Sequence, residues 1–193
     1  MIRNFGALMT MSLLLGLYAT PADAQTQELR VSNGRATFTS DAPLETINGT
    51  TTRVAGSVSV DLANPGAASG TLIVPVASLR TGIALRDEHL QGANWLNAAS
   101  HPNITLQVTA FEGASDFTGG ERVSFRIRGN MTIKGTTRPV NIRAQGQLRD
   151  GAFLVRARWR IRLSDYGVSI PAAVQAKVNN EIVVSVNIRA ATS

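Results

Sequence analysis

Arg86-Asp87-Glu88-His89 places a guanidinium, two carboxylates and an imidazole on four successive residues. An imidazole beside a carboxylate can serve as a general base, and the same groups can ligate a metal ion. The rest of the chain supports neither chemistry. It has no cysteine, and its only other histidine, His101, precedes Pro102. No nucleophile elbow, phosphate-cradling glycine loop or pair of catalytic carboxylates can be read from the sequence. The expectation is no catalytic residue, no metal, no cofactor and no enzymatic activity. Arg86, Asp87 and His89 are expected to form a structural polar cluster. In it an Arg86–Asp87 ion pair fixes a short helix, and contact with a ligand headgroup is the sharper alternative.

A second chemical feature is the stretch VRARWRIRL, residues 155–163. Arg156, Arg158, Arg160 and Arg162 occupy every second position, so in a strand they share one face and Val155, Ala157, Trp159, Ile161 and Leu163 share the other. With a net charge of +6 and a pI near 11.0, the stripe suits an anionic partner. The N-terminus bears on which one. Arg3, an apolar run from Phe5 to Ala19 and Ala22-Asp23-Ala24 read as a signal peptide, residues 1–24, cleaved after Ala24. The expected organisation is therefore a leader followed by one domain, 25–193, in the periplasm. Export excludes nucleic acid and leaves an anionic membrane surface as the expected peripheral contact.

The elements that must position these groups are strands. Period two runs through Val54–Leu62, Ile104–Ala110, Val123–Ile133, Val140–Leu148 and Ile182–Arg189. Turn signals separate the runs at Asn64-Pro65-Gly66, Gly119-Gly120, Gly135 and Asp150-Gly151. Apolar and polar residues alternate in each run, which describes an all-β, antiparallel sheet with one buried face, closed as a barrel or stacked as a sandwich. One long connection breaks the pattern, and a short helix is expected there at about residues 83–98, ended before Pro102. The charges of Lys134 and Arg138 are expected to lie in water at a hairpin tip.

Three blocks of sequence resemble the YceI-like family of exported, lipocalin-like polyisoprenoid-binding proteins. The first is Ser78-Leu79-Arg80-Thr81-Gly82 with Arg86-Asp87-Glu88-His89-Leu90 and His101-Pro102-Asn103-Ile104-Thr105. The second is Gly129–Val140, and the third is Ser164-Asp165-Tyr166-Gly167-Val168. Two departures stand out: the first strand lacks the family's histidine, and Asn94-Trp95-Leu96-Asn97 replaces its aromatic pair after the helix.

The resemblance implies an extended, eight-stranded, lipocalin-like barrel with a packed helix and an amphiphilic lipid ligand. That ligand would be a polyisoprenoid, a quinone or a fatty-acid derivative, and a homodimer is an accompanying expectation. Alternation then nominates the channel wall: Phe38, Val58, Val60, Leu106, Val108, Phe125, Ile127, Met131, Ile142, Ala144, Phe153, Val155, Trp159, Ile161, Val184 and Val186. Small inward residues, among them Ala36, Ala110, Gly129, Ala144, Gly146 and Ala157, are expected to leave room for the lipid. The alternative is a periplasmic structural or stress-interaction protein whose barrel is filled by its own side chains.

Overall fold

A computed structural model describes residues 25–192; the expected leader, residues 1–24, lies outside the described residues. The strands are β1 (Thr26–Asp41), β2 (Thr46–Thr51), β3 (Ala55–Asp61), β4 (Ser69–Pro75), β5 (Asn103–Glu112), β6 (Val123–Ile133), β7 (Thr136–Arg149), β8 (Ala152–Arg162) and β9 (Glu181–Thr192). Each of β3 to β8 pairs antiparallel with the next, and β9 returns to β1, so the sheet closes. β2 and β3 pair with the same edge of β1 in one continuous register and form a single interrupted stave. The closed barrel therefore has eight antiparallel staves, as the resemblance implies.

Two bulges set which residues face inward. In β1 the pairing to β9 slips between Val31 and Asn33, so Leu29 and Val31 share a face with Ala36, Phe38 and Ser40 despite the change of parity. In β5 the pairing to β6 slips between Val108 and Ala110. Ala110 thereby comes opposite Arg128 on the outer face, and Phe111 opposite Ile127 on the inner one. The expected inward position of Ala110 is corrected by this bulge.

The base of the barrel is packed solid. The loop after β5 folds across it, tied by Phe117 N–H to the Leu62 carbonyl at 2.8 Å. Phe117 then stands edge-on to Phe125 and Phe153, and Phe125 edge-on to Phe111. Gly146 leaves no empty volume, because a Cβ there would lie 2.7 Å from Phe153 and 2.9 Å from Phe117. Small residues at this end are thus the seats of aromatic rings.

The opposite end is built by all three sequence blocks together. Lys134 and Gly135, both at positive φ, form the two-residue turn between β6 and β7. The Lys134 ammonium donates to the Gly167 carbonyl at 3.2 Å and Arg138 Nε to the Asp165 carbonyl at 2.8 Å. These two cations keep their place at the solvent-facing hairpin tip, as expected, and are in addition bonded to the 163–167 turn. A Cβ on Gly135 would fall 2.6 Å from the His101 ring, which lies directly on the glycine. Tyr166 and Val168 join Val76, Leu79, Leu96, Met131 and Ile133 in the apolar cluster beneath. The bonds and contacts of the three blocks hold that end in shape.

The helix α1 is shorter than expected, spanning Ala84–Gln91. Gly92 N–H returns to the His89 carbonyl at 2.9 Å, and Asn97, at φ 50°, takes the chain through a tight turn. Trp95 and Leu96 consequently pack from that turn, not from the helix.

Candidate ligand-binding site

Between the aromatic base and the α1 end lies a cavity of about 940 Å³, lined overwhelmingly by apolar atoms. That is near the top of the roughly 300–1,000 Å³ usual for small-molecule sites. Phe111 and Phe153 form its floor. Its wall comes from the inward residues of nearly every stave, including Phe38, Val58, Leu106, Val108, Ile127, Met131, Ile142, Val155, Trp159, Ile161, Val184 and Val186. These follow from alternation because the pleat alone puts them inside.

Three nominated residues lie elsewhere. Val60, Phe125 and Ala144 are buried in the base cluster and do not reach the cavity. Val60 pairs with Gln27 near the start of β1, below the floor. Ala144, opposite Phe125, lies among the rings. Alternation gives the face of a residue but not its height along the barrel axis. It also missed Leu29 and Val31, hidden by the β1 bulge, and Phe111, hidden by the β5 bulge. No sequence signal announced either bulge.

The mouth is framed by the β1–β2 turn, the start of α1 and the segment 171–178. Arg86, Glu88, His89, Asn94 and Lys177 line it. Arg86 pairs with Glu45, Nη2 to Oε1 at 2.6 Å, both half-buried. The expected Arg86–Asp87 ion pair is thus replaced by a long-range bond that ties the helix to the β1–β2 turn.

Asp87 is buried and turned away from the cavity, and its Oδ1 accepts from Thr81 N–H at 2.7 Å and Thr81 Oγ1 at 2.6 Å. Burial pushes its carboxyl up, but the Thr81 hydrogen bonds, with the charges of Arg80 and Arg86, outweigh that and hold it below the usual carboxylate range. Asp87 is therefore a clamp on the Thr81-Gly82 turn, whose glycine sits at φ 85°. His89 lines the mouth and is not a hydrogen-bond partner of Asp87, so direct bonds do not join Arg86, Asp87 and His89 to one another. Among the described residues, no group of three or more histidine, cysteine, aspartate or glutamate side chains is arranged to hold a metal.

One donor in the wall is unusual: the Trp159 indole N–H is buried with no hydrogen-bond partner among the described residues. An unpaired buried donor costs about 1–3 kcal/mol.

This geometry has known counterparts. Residues 26–190 match the family model of the YceI-like domain. A UPF0312 protein of Azotobacter vinelandii is 33% identical over 119 residues, 58% of this chain and 59% of that protein. A UPF0312 protein of Yersinia pestis is 30% identical over 120 residues, again 59% of each. The alignment thus spans less than two thirds of these curated relatives.

Among solved structures, Burkholderia cenocepacia BcnA superposes with a TM-score of 0.70 at 18% identity, over 81% of this chain and 95% of that one. A polyisoprenoid binding domain from Saccharophagus degradans, implicated in plant cell wall breakdown, does so with a TM-score of 0.68 at 13% identity, over 88% and 100%. At those identities the two share the fold. With the family model covering nearly the whole barrel, the chain belongs to the YceI-like domain family.

Proposed function

We propose that this chain is an exported, non-enzymatic binding protein that holds one long-chain amphiphile in the barrel. The observation that carries this reading is the cavity, about 940 Å³, with a predominantly apolar wall that ends in a polar mouth. A barrel filled by its own side chains describes only the base, so the alternative of a purely structural barrel is disfavoured.

The chemistry of the walls points to the ligand class. Burial of a fifteen-carbon tail releases on the order of 10 kcal/mol before ordering costs, at ~0.8 kcal/mol per carbon. The tail lies along the β8 and β9 staves, against Val155, Trp159, Ile161, Val184 and Val186. The headgroup stays at the mouth beside Arg86, His89 and Lys177. A polyisoprenoid or an isoprenoid quinone fits best, and a quinone carbonyl is the kind of acceptor that the unpaired Trp159 N–H lacks. The leader, residues 1–24, would deliver the protein to the periplasm.

The test is native mass spectrometry of the protein purified from cells, followed by organic extraction. A stoichiometric amphiphile released on denaturation is expected. Protein with no adduct, and no uptake of a fluorescent polyene fatty acid afterwards, would overturn the proposal.

A further inference from the structure

Among the described residues the exposed large hydrophobic side chains are Leu44, Ile83 and Leu85, at 71%, 49% and 61% exposure. They are not scattered. Ile83 and Leu85 are themselves part of the cavity lining, at the start of α1. Leu44 is held at the same rim, since its N–H donates to the Ala176 carbonyl at 3.0 Å. Leu44 and Leu85 also flank the two partners of one ion pair, Glu45 and Arg86, bonded at 2.6 Å.

We propose that this rim is a membrane-docking tip: Leu44, Ile83 and Leu85 enter the interfacial region of a lipid bilayer and bring the cavity mouth against it. This rests on the carrier reading above and adds where the cargo crosses. Three features choose a bilayer over a protein partner. Three side chains cover far less than the roughly 800 Å² per partner of a stable protein interface. A bilayer needs no complementary shape, only apolar groups projecting from a polar surface. The rim is also continuous with the cavity through Ile83 and Leu85, which line it, so a lipid tail passing between them keeps apolar contacts beside the polar residues of the mouth. Lys177 at the mouth and the net charge of +6 favour anionic headgroups.

This tip differs from the arginine face. Arg156, Arg158, Arg160 and Arg162 are exposed on the outer wall of β8. Binding through them would be electrostatic and lost in salt.

The test uses the chain without its leader and vesicles of phosphatidylcholine with phosphatidylglycerol. Leu44→Ser, whose side chain lies outside the cavity wall, is expected to weaken vesicle binding by about tenfold, and the triple Leu44→Ser, Ile83→Ser, Leu85→Ser variant by more. Leu44→Trp is expected to add fluorescence that is blue-shifted by vesicles and quenched by brominated acyl chains. A residual, salt-resistant fraction of wild-type binding is also expected.

Salt-abolished binding unchanged by Leu44→Ser would assign contact to the arginine face and overturn the proposal. So would a loss of self-association on Leu44→Ser, which would make the occupant a second copy. Uptake of the polyene probe from solution is measured separately, and Leu44→Ser should leave it unchanged. Failure of wild-type uptake with intact, Leu44-dependent vesicle binding would sink the carrier reading and leave the docking tip standing.

Discussion

The two ends of this barrel are made from the same staves yet solve opposite problems. At the base, Phe111, Phe117, Phe125 and Phe153 interlock edge to face, and small residues such as Gly146 and Ala144 accommodate the rings. Toward the mouth, side chains of the same strands, Phe38 and Trp159 among them, face open volume, and the segment 171–178 beside it carries no aromatic residue to plug it. The difference comes from the connections. One loop inserts Phe117, while the other end is propped by backbone and polar bonds at its edge. Stability should therefore concentrate at the base and binding near the mouth.

The largest expected effect tests the base. Phe117→Ala removes a fully buried ring that touches two others, and should lower unfolding free energy by about 3–5 kcal/mol. Denaturant unfolding measures it. The variant should still take up the polyene probe at temperatures where it is folded, since Phe117 does not line the cavity. Ala157→Trp is the complementary change. Ala157 sits mid-wall between Val186 and Ala144 on the neighbouring staves, and a tryptophan there would project into the void. Uptake should fall by at least about tenfold, equivalent to about 1.4 kcal/mol or more, with far-UV circular dichroism unchanged. A stable Ala157→Trp protein that binds normally would break the division between the two ends.

The props at the mouth give a smaller effect. Asp87→Ala leaves the Thr81 N–H without its acceptor and should cost about 1–3 kcal/mol. The pH dependence follows from the carboxyl's position below the usual range. Folding lowers its pKa, so its contribution is present above the unfolded-state value and is lost as pH falls through the folded-state value. The gap between wild type and Asp87→Ala should thus be full at neutral pH and narrow on strong acidification. A gap constant from pH 7 to pH 2 would show that the clamp does not depend on ionisation.

What the sequence disclosed follows the same geography. Period two and the three blocks revealed the barrel and most of its wall, because the pleat imposes inward alternation wherever pairing is regular. Ser32-Asn33 and Thr109 defeated that reading, since a bulge changes parity without a residue type of its own. Val60, Phe125 and Ala144 faced inward as expected but at the wrong height, which depends on the stagger of the whole closed sheet. The Arg86–Glu45 pair spans a long stretch of chain, whereas sequence adjacency suggested Asp87. Phe117 lies in a loop, outside any periodic pattern, and only the fold shows that it plugs the base.

The outer wall supplies the smallest and most salt-dependent test. Arg126 and Arg143 stand directly opposite on β6 and β7, and neither has an ion-pair partner among the described residues. By contrast Arg128 bonds Glu112 at 2.8 Å and Arg160 bonds Glu181 at 3.1 Å. Like charges facing each other across a ladder are destabilising, by a few tenths of a kcal/mol at an exposed site. Arg143→Gln should therefore raise stability slightly in low salt, and the gain should vanish above about 0.5 M salt, where screening is complete within a few ångströms. Arg160→Gln, which removes a paired cation, should change stability in the opposite direction by a similarly small amount. If both substitutions act alike, the outer face responds to its total charge rather than to its cross-strand pairs, and the arginines are a diffuse field instead of a set of local contacts.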